Sequence, residues 1–157
     1  MGVRAIPDGY SSVTPYLIVN GAAQALDYYK MAFDAQELMR FPSPDGKIVH
    51  AEIQIGNSRV MLADESPQMG NNSPTTLGGS GTGLMLYVDD ADSTFERAVS
   101  GGAKVKQELK TQFYGDRNGT ITDPFGHSWT IATHVEDVAP EELKRRMAEA
   151  MKAGQPG

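Results

Sequence analysis

Apolar and polar residues alternate with a period of two over most of this chain, broken by segments with helical period. From Val13 to Val19, the residues Val13, Pro15, Leu17 and Val19 share one face, and Thr14, Tyr16 and Ile18 share the other. That is the pattern of a strand with one buried side. Asn20-Gly21 stops the strand, and Ala22, Leu26, Tyr29 and Phe33 then fall on one side of a helix. Gln36 to Phe41 predicts a second strand, closed by the turn Pro42-Ser43-Pro44-Asp45-Gly46. Ile48 to Ile55 predicts a third, with Val49, Ala51, Ile53 and Ile55 opposed to His50, Glu52 and Gln54. Gly56-Asn57 makes a hairpin into Ser58 to Ala63, where Val60 and Leu62 face away from Arg59, Met61 and Ala63.

Residues 66–82 are rich in Gly, Ser, Asn and Pro, lack periodicity, and read as a linker. The opening pattern then returns at an offset of about 69 residues. Leu84, Leu86 and Val88 form the apolar face of a strand, with Gly83, Met85 and Tyr87 opposite. Asp89 or Asp90 suits a helix cap, and Ala91, Phe95, Ala98 and Val99 make a buried helical stripe that Gly101-Gly102 ends. Strands are expected at Lys104 to Thr111, around Thr120 to Asp123, and at Ser128 to His134, with the tight turn Asp123-Pro124-Phe125-Gly126 between the last two. A terminal helix begins at Pro140, with Leu143, Met147 and Ala150 or Met151 on its apolar side. The expectation is an α+β fold in a single domain over 1–157. Its parts are two βαβββ modules at about 13–65 and 83–134, the linker, and a C-terminal helix at about 140–153. Two copies of one half-domain commonly enclose a cleft.

Composition narrows the partners. The chain of 157 residues carries a net charge of −6 and no long basic run, so nucleic acid and anionic membrane surfaces are not expected partners. It has no cysteine, which removes disulfides, thiolate metal ligands and a cysteine nucleophile. With no secretory pattern and no apolar run of spanning length, a cytoplasmic location is the expectation.

His50 and Glu52 lie two apart on one strand and share its polar face. They suit a polar ligand clamp, an acid–base pair or a displaced metal site, and equally a solvated or dimer-facing surface. Tyr16, Met61, Met85 and Tyr87 form an amphipathic wall suited to a small organic ligand, or to ordinary packing. His134 shares the parity of Thr130 and can reach a ligand or cap the strand end; His127 and Trp129 read as structural. In Tyr114-Gly115-Asp116-Arg117-Asn118-Gly119 the Asn-Gly pair signals a hairpin turn. Gly79-Ser80-Gly81-Thr82-Gly83 lacks the Lys-Ser/Thr of a phosphate loop and runs into a strand.

The modules carry Thr14-Pro15-Tyr16-Leu17, Val49-His50-Ala51-Glu52-Ile53 and Val60-Met61-Leu62-Ala63-Asp64. They also carry Tyr114 to Gly119, Asp123-Pro124-Phe125-Gly126-His127-Ser128-Trp129 and Ala132-Thr133-His134-Val135-Glu136-Asp137. With these motifs the chain resembles the vicinal-oxygen-chelate superfamily of glyoxalase I, bleomycin-resistance proteins and extradiol dioxygenases, most closely its PhnB-like branch. The resemblance implies that the modules form a pair of half-open barrels flanking a cleft, that dimers are common, and that a strand starts near Arg117. It also implies that a metal would be held at the positions of Thr14, Met61, Gly83 and Thr130. None of these is a good ligand for a hard or borderline divalent ion, so no metal or other cofactor is expected. The function expected is binding of a small organic molecule in a metal-free cleft by Thr14, Tyr16, His50, Glu52, Met61, Met85, Tyr87, Thr130 and His134. A divergent lyase, isomerase or dioxygenase, and a structural or regulatory homodimer, are the alternatives.

Overall fold

Each repeat folds as strand, helix and three further strands, in that order. The computed structural model describes residues 2–154; residue 1 and residues 155–157, the ends of the expected span, lie outside the described residues. Two compact units result, one of residues 2–82 with 124–127 and one of residues 83–123 with 128–154. Among the described residues the fold is α+β, with two four-stranded mixed sheets and four α-helices.

In the first unit the strands are β1 (Tyr16–Val19), β2 (Gln36–Pro42), β3 (Ile48–Ile55) and β4 (Ser58–Asp64), and helix α1 (Ala22–Phe33) follows β1. The sheet order is β1-β4-β3-β2, with β1 parallel to β4 and the other pairs antiparallel. Leu17, Val19, Ala51, Ile53, Val60 and Leu62 turn one face toward α1, where Leu26, Tyr29 and Phe33 are buried. The segment Pro124–His127 packs in this unit: Phe125 meets Tyr28 edge-on at 6.0 Å, and His127 Nε2 donates to the Ile18 carbonyl at 2.9 Å. His127 is structural, as its place after the turn suggests.

Strand β1 is shorter than the alternation predicts. Val13 is 85% exposed, so the residues before Tyr16 have no face to bury, and Pro15 has no N–H to give a ladder. The linker, by contrast, is ordered. It holds a short helix, α2 (Pro74–Leu77), capped by the buried Ser73. The Glu65 carboxylate accepts from Ser73 N at 2.9 Å and Thr76 Oγ1 at 2.7 Å, and also bonds Ser73 Oγ. Such a polar lock has no period, so hydrophobic patterning is blind to it.

The second unit repeats the plan with β5 (Gly83–Tyr87), α3 (Ala91–Ser100), β6 (Lys104–Thr111), β7 (Asp116–Thr122) and β8 (Ser128–His134), in the order β5-β8-β7-β6. Phe95, Ile121, Trp129 and Ile131 are buried, and Trp129 Nε1 donates to Asp123 Oδ2 at 2.8 Å. Asp90 caps α3 by accepting from Ser93 N. Helix α4 (Pro140–Lys152) begins at Pro140 as expected, but of its apolar stripe Ala150 is buried while Met147 and Met151 are exposed. Arg146 ties it down through Glu136 and the Phe113 carbonyl.

Strand β7 corrects two readings. It starts at Asp116, four residues before the expected point, and Asn118-Gly119 is mid-strand, not a turn. The turn lies three residues earlier, where Gly115 adopts φ +99 and its N–H donates to the Gln112 carbonyl at 3.2 Å. Gly119 serves close packing: a Cβ there would stand 2.7 Å from Phe95 Cε2 and 2.9 Å from Leu109 N.

Candidate functional site

The sheet of the first unit buries one face under α1, and its other face carries a candidate site. Strand pairing places Tyr16 opposite Met61, Met61 opposite Glu52, and Phe41 opposite His50. A continuous line of hydrogen bonds results. Tyr16 Oη lies 2.8 Å from His50 Nδ1, and His50 Nε2 lies 2.7 Å from Glu52 Oε2. The Phe41 and His50 rings stack at 6.4 Å with an interplanar angle of 23°, and the Tyr16 ring is tilted against the other side of the network at 5.5 Å from His50. Exposure rises along the line: Glu52 is 9% exposed, Tyr16 47% and Phe41 57%. Partial burial pushes the Tyr16 phenol above its usual value. Two accessible aromatic rings thus flank a polar axis anchored on a buried carboxylate, an arrangement that can grip an apolar body and one polar substituent together.

The second unit carries different chemistry on its own sheet. Thr130 Oγ1 and Thr120 Oγ1 share a hydrogen bond of 2.8 Å, opposite the half-exposed Met85. Toward the end of the sheet, Tyr87 Oη donates to Asp116 Oδ2 at 2.8 Å. His134 Nδ1 lies 2.8 Å from Asp116 Oδ1, and its Nε2 lies 2.8 Å from Asp137 Oδ1. A carboxylate on each ring nitrogen favours imidazolium. The bond to Asp116, then the one to Asp137, holds the His134 pKa above its usual value, and the bond to Asp116 likewise raises Tyr87. Tyr87, Val88, Asp89, Thr133 and His134 line a cavity of about 310 Å³.

Two βαβββ units with these sheet orders agree with comparisons to known proteins. The Glyoxalase/Bleomycin resistance protein/Dioxygenase superfamily matches residues 11–131. The chain belongs to this superfamily. An uncharacterized protein of Mycobacterium bovis is 45% identical over 140 residues, covering 87% of this chain and 92% of its own. Among solved structures, TioX from Micromonospora sp. ML1 is similar at 27% identity and a TM-score of 0.62, covering 80% of this chain and 99% of its own. The PhnB protein from Bacillus cereus shares the fold at 16% identity and a TM-score of 0.63, covering 78% and 99%.

The glyoxalase and bleomycin-resistance resemblance implies a metal at Thr14, Met61, Gly83 and Thr130, and the residues there do not fit one. Thr14 precedes β1, and its hydroxyl donates to the Ser11 carbonyl at 3.3 Å. Met61 offers a thioether, Gly83 has no side chain, and the Thr130 hydroxyl is bonded to Thr120. A borderline divalent ion needs imidazole or carboxylate donors. Among the described residues no group of three or more His, Asp or Glu is placed to hold an ion. Of the sequence-predicted residues, Tyr16, His50, Glu52 and Met61 come together on the first sheet. Met85 and Thr130 pair on the second, where Tyr87 and His134 meet through Asp116. Sequence reading missed Phe41 and Asp116 as partners of the candidate residues. Phe41 reaches His50 only through a strand pair whose register shifts at bulges, and Asp116 sits in a motif whose local signal is a turn.

Proposed function

We propose that this chain binds a small, partly apolar organic molecule on the Tyr16–Phe41 face of its first sheet, without the metal of the superfamily's enzymes. The observation that carries this reading is the Tyr16–His50–Glu52 line between two exposed rings. Exposed tyrosine and phenylalanine side chains supply contact area at low entropic cost, and a prealigned polar axis supplies orientation. The donor set at the superfamily's metal positions supports binding that does not run through an ion. A thermal-shift screen of small aromatic and heteroaromatic compounds tests it. Hits on the native protein are expected to weaken about tenfold in Phe41→Ala, whose ring offers large buried contact on binding. Hits unaffected by Phe41→Ala would place binding elsewhere.

The same three side chains favour a second reading, proton transfer to or from a bound molecule, because His50 stands between a hydroxyl and a carboxylate. Turnover of a screened ligand that is lost in His50→Gln, with affinity retained, would support it over simple binding.

A further inference from the structure

The bonds of the Tyr16–His50–Glu52 line determine where its hydrogens sit. A carboxylate has only acceptors to offer, so in the neutral imidazole Nε2 carries the hydrogen and donates it to Glu52 Oε2. Nδ1 is then a bare lone pair, and the Tyr16 hydroxyl must donate to it. The phenol's one hydrogen is committed. Its oxygen keeps only an accepting lone pair for anything outside the protein. Glu52 Oε1, the other free polar atom of the line, also only accepts. Arg59, the cation on the same face, stands opposite Gln54 in the strand register, but its guanidinium lies against the Tyr10 ring at 5.1 Å from the centroid, with Nε buried away from the line. The Gln54 amide donates to the Gly56 carbonyl. The anchor of the site therefore accepts hydrogen bonds and carries the charge of one carboxylate, in a chain already at −6.

We propose, resting on the binding reading above, that this site selects flat ligands that donate a hydrogen bond, such as phenols, aromatic N–H groups or aromatic ammonium ions. It rejects carboxylates, phosphates and phosphonates. An anionic group would bring acceptor against acceptor and charge against charge, which costs that ligand affinity and so discriminates against it.

Glu52→Gln is an isosteric test. The amide N–H can donate to His50 Nε2, which moves the imidazole hydrogen to Nδ1, reverses the bond to Tyr16 and frees the phenol to donate outward. The probes are 2-naphthol, 2-methylnaphthalene and 2-naphthoate, titrated into the full chain at pH 8, with binding followed by NMR. In the native protein 2-naphthol is expected to bind about fivefold more tightly than 2-methylnaphthalene, and 2-naphthoate at least about tenfold more weakly than 2-naphthol. In Glu52→Gln the naphthol-to-naphthoate ratio narrows to about twofold or reverses, whereas a merely structural effect weakens all three alike. Equal binding of naphthoate and naphthol to the native protein, or an unchanged ratio in Glu52→Gln, overturns the selectivity and leaves the binding reading standing. If no probe shifts the resonances of Tyr16, Phe41 or His50, the binding reading falls and the selectivity with it.

Discussion

Asp64 and Thr133 stand at matching points of the two repeats and do the same work with different groups. Asp64 Oδ1 accepts from Gly21 N at 2.8 Å and Ala22 N at 2.9 Å, and its Oδ2 accepts from Ile48 N at 2.7 Å. Thr133 Oγ1 accepts from Ala91 N at 2.8 Å and donates to the Val88 carbonyl at 2.8 Å. Each repeat thus uses the end of its last strand to satisfy the first N–H groups of its helix, which otherwise lack partners. The two helices depend on this device unequally. Helix α1 starts from Gly21 at φ +103 with no side-chain cap of its own, whereas α3 also has Asp90.

Asp64→Ala is therefore expected to destabilise the chain by about 3 kcal/mol, since it removes a charged cap and strands three N–H groups. Thr133→Val should cost about 1 kcal/mol, because Asp90 continues to cap α3. Urea denaturation of the two variants checks the order. Equal losses would show that Asp64 is not the cap on which α1 depends.

His134 titrates above the usual histidine value of 6.5 because Asp116, and secondarily Asp137, favour its charged form. A folded-state pKa above the unfolded one contributes stability that is fully present below the unfolded value. That stability is lost as pH rises through the folded value. The His134 contribution should accordingly be complete below about pH 6 and disappear on the alkaline side of its own titration. NMR titration of the imidazole should show a midpoint above 6.5 that falls in Asp116→Asn and falls less in Asp137→Asn. The reverse order would assign the shift to the wrong carboxylate.

Gly119 and Gly83 separate a packing glycine from a permissive one. A Cβ at Gly119 would press on Phe95, Leu109 N and the Gln107 carbonyl, all within 3.0 Å, while at Gly83 it would meet nothing within 4 Å. Gly119→Ala is expected to cost about 1–3 kcal/mol, because backbone atoms must shift to admit it. Gly83→Ala should stay within about 0.5 kcal/mol. Thermal or urea melts of both variants give the comparison. A silent Gly119→Ala would mean that β6 and β7 are looser than their pairing indicates.

Chelation should leave this protein unchanged. Thr14, Met61, Gly83 and Thr130, where the resemblance implies a metal, supply no imidazole or carboxylate, so EDTA is expected to move neither the melting temperature nor ligand affinity. A stoichiometric transition metal in purified protein, with a melting temperature that drops on chelation, would contradict the donor chemistry.

Much of the fold was legible because its signal is local. Ala51, Ile53 and Ile55 are buried on the parity that their alternation predicts, as are Leu26, Tyr29 and Phe33 on the helical face, whereas Val49, expected on the same face of β3, is exposed. Where local chemistry and long-range packing disagreed, packing prevailed. Asn118-Gly119 has turn propensity, yet Gly119 is the residue that lets β7 approach β6 and Phe95. The site was legible in part for the same reason. His50 and Glu52 share a face by parity alone, but their bonds to one another and to Tyr16 require the β1-β4-β3 order.

Residue order alone carried the repeat, the succession of strands and helices, and the buried faces of α1 and of the middle of β3. These follow from residue identity and from periods of 2 and 3.6, which any short window contains. The tertiary fold was needed to show that Phe41 stacks on His50, that the Tyr16 hydroxyl bonds His50, that Asp64 caps a helix 42 residues earlier, and that Asp116 joins Tyr87 to His134. Each of these depends on register between distant segments, and a single-residue slip in a strand turns the side chain to the opposite face.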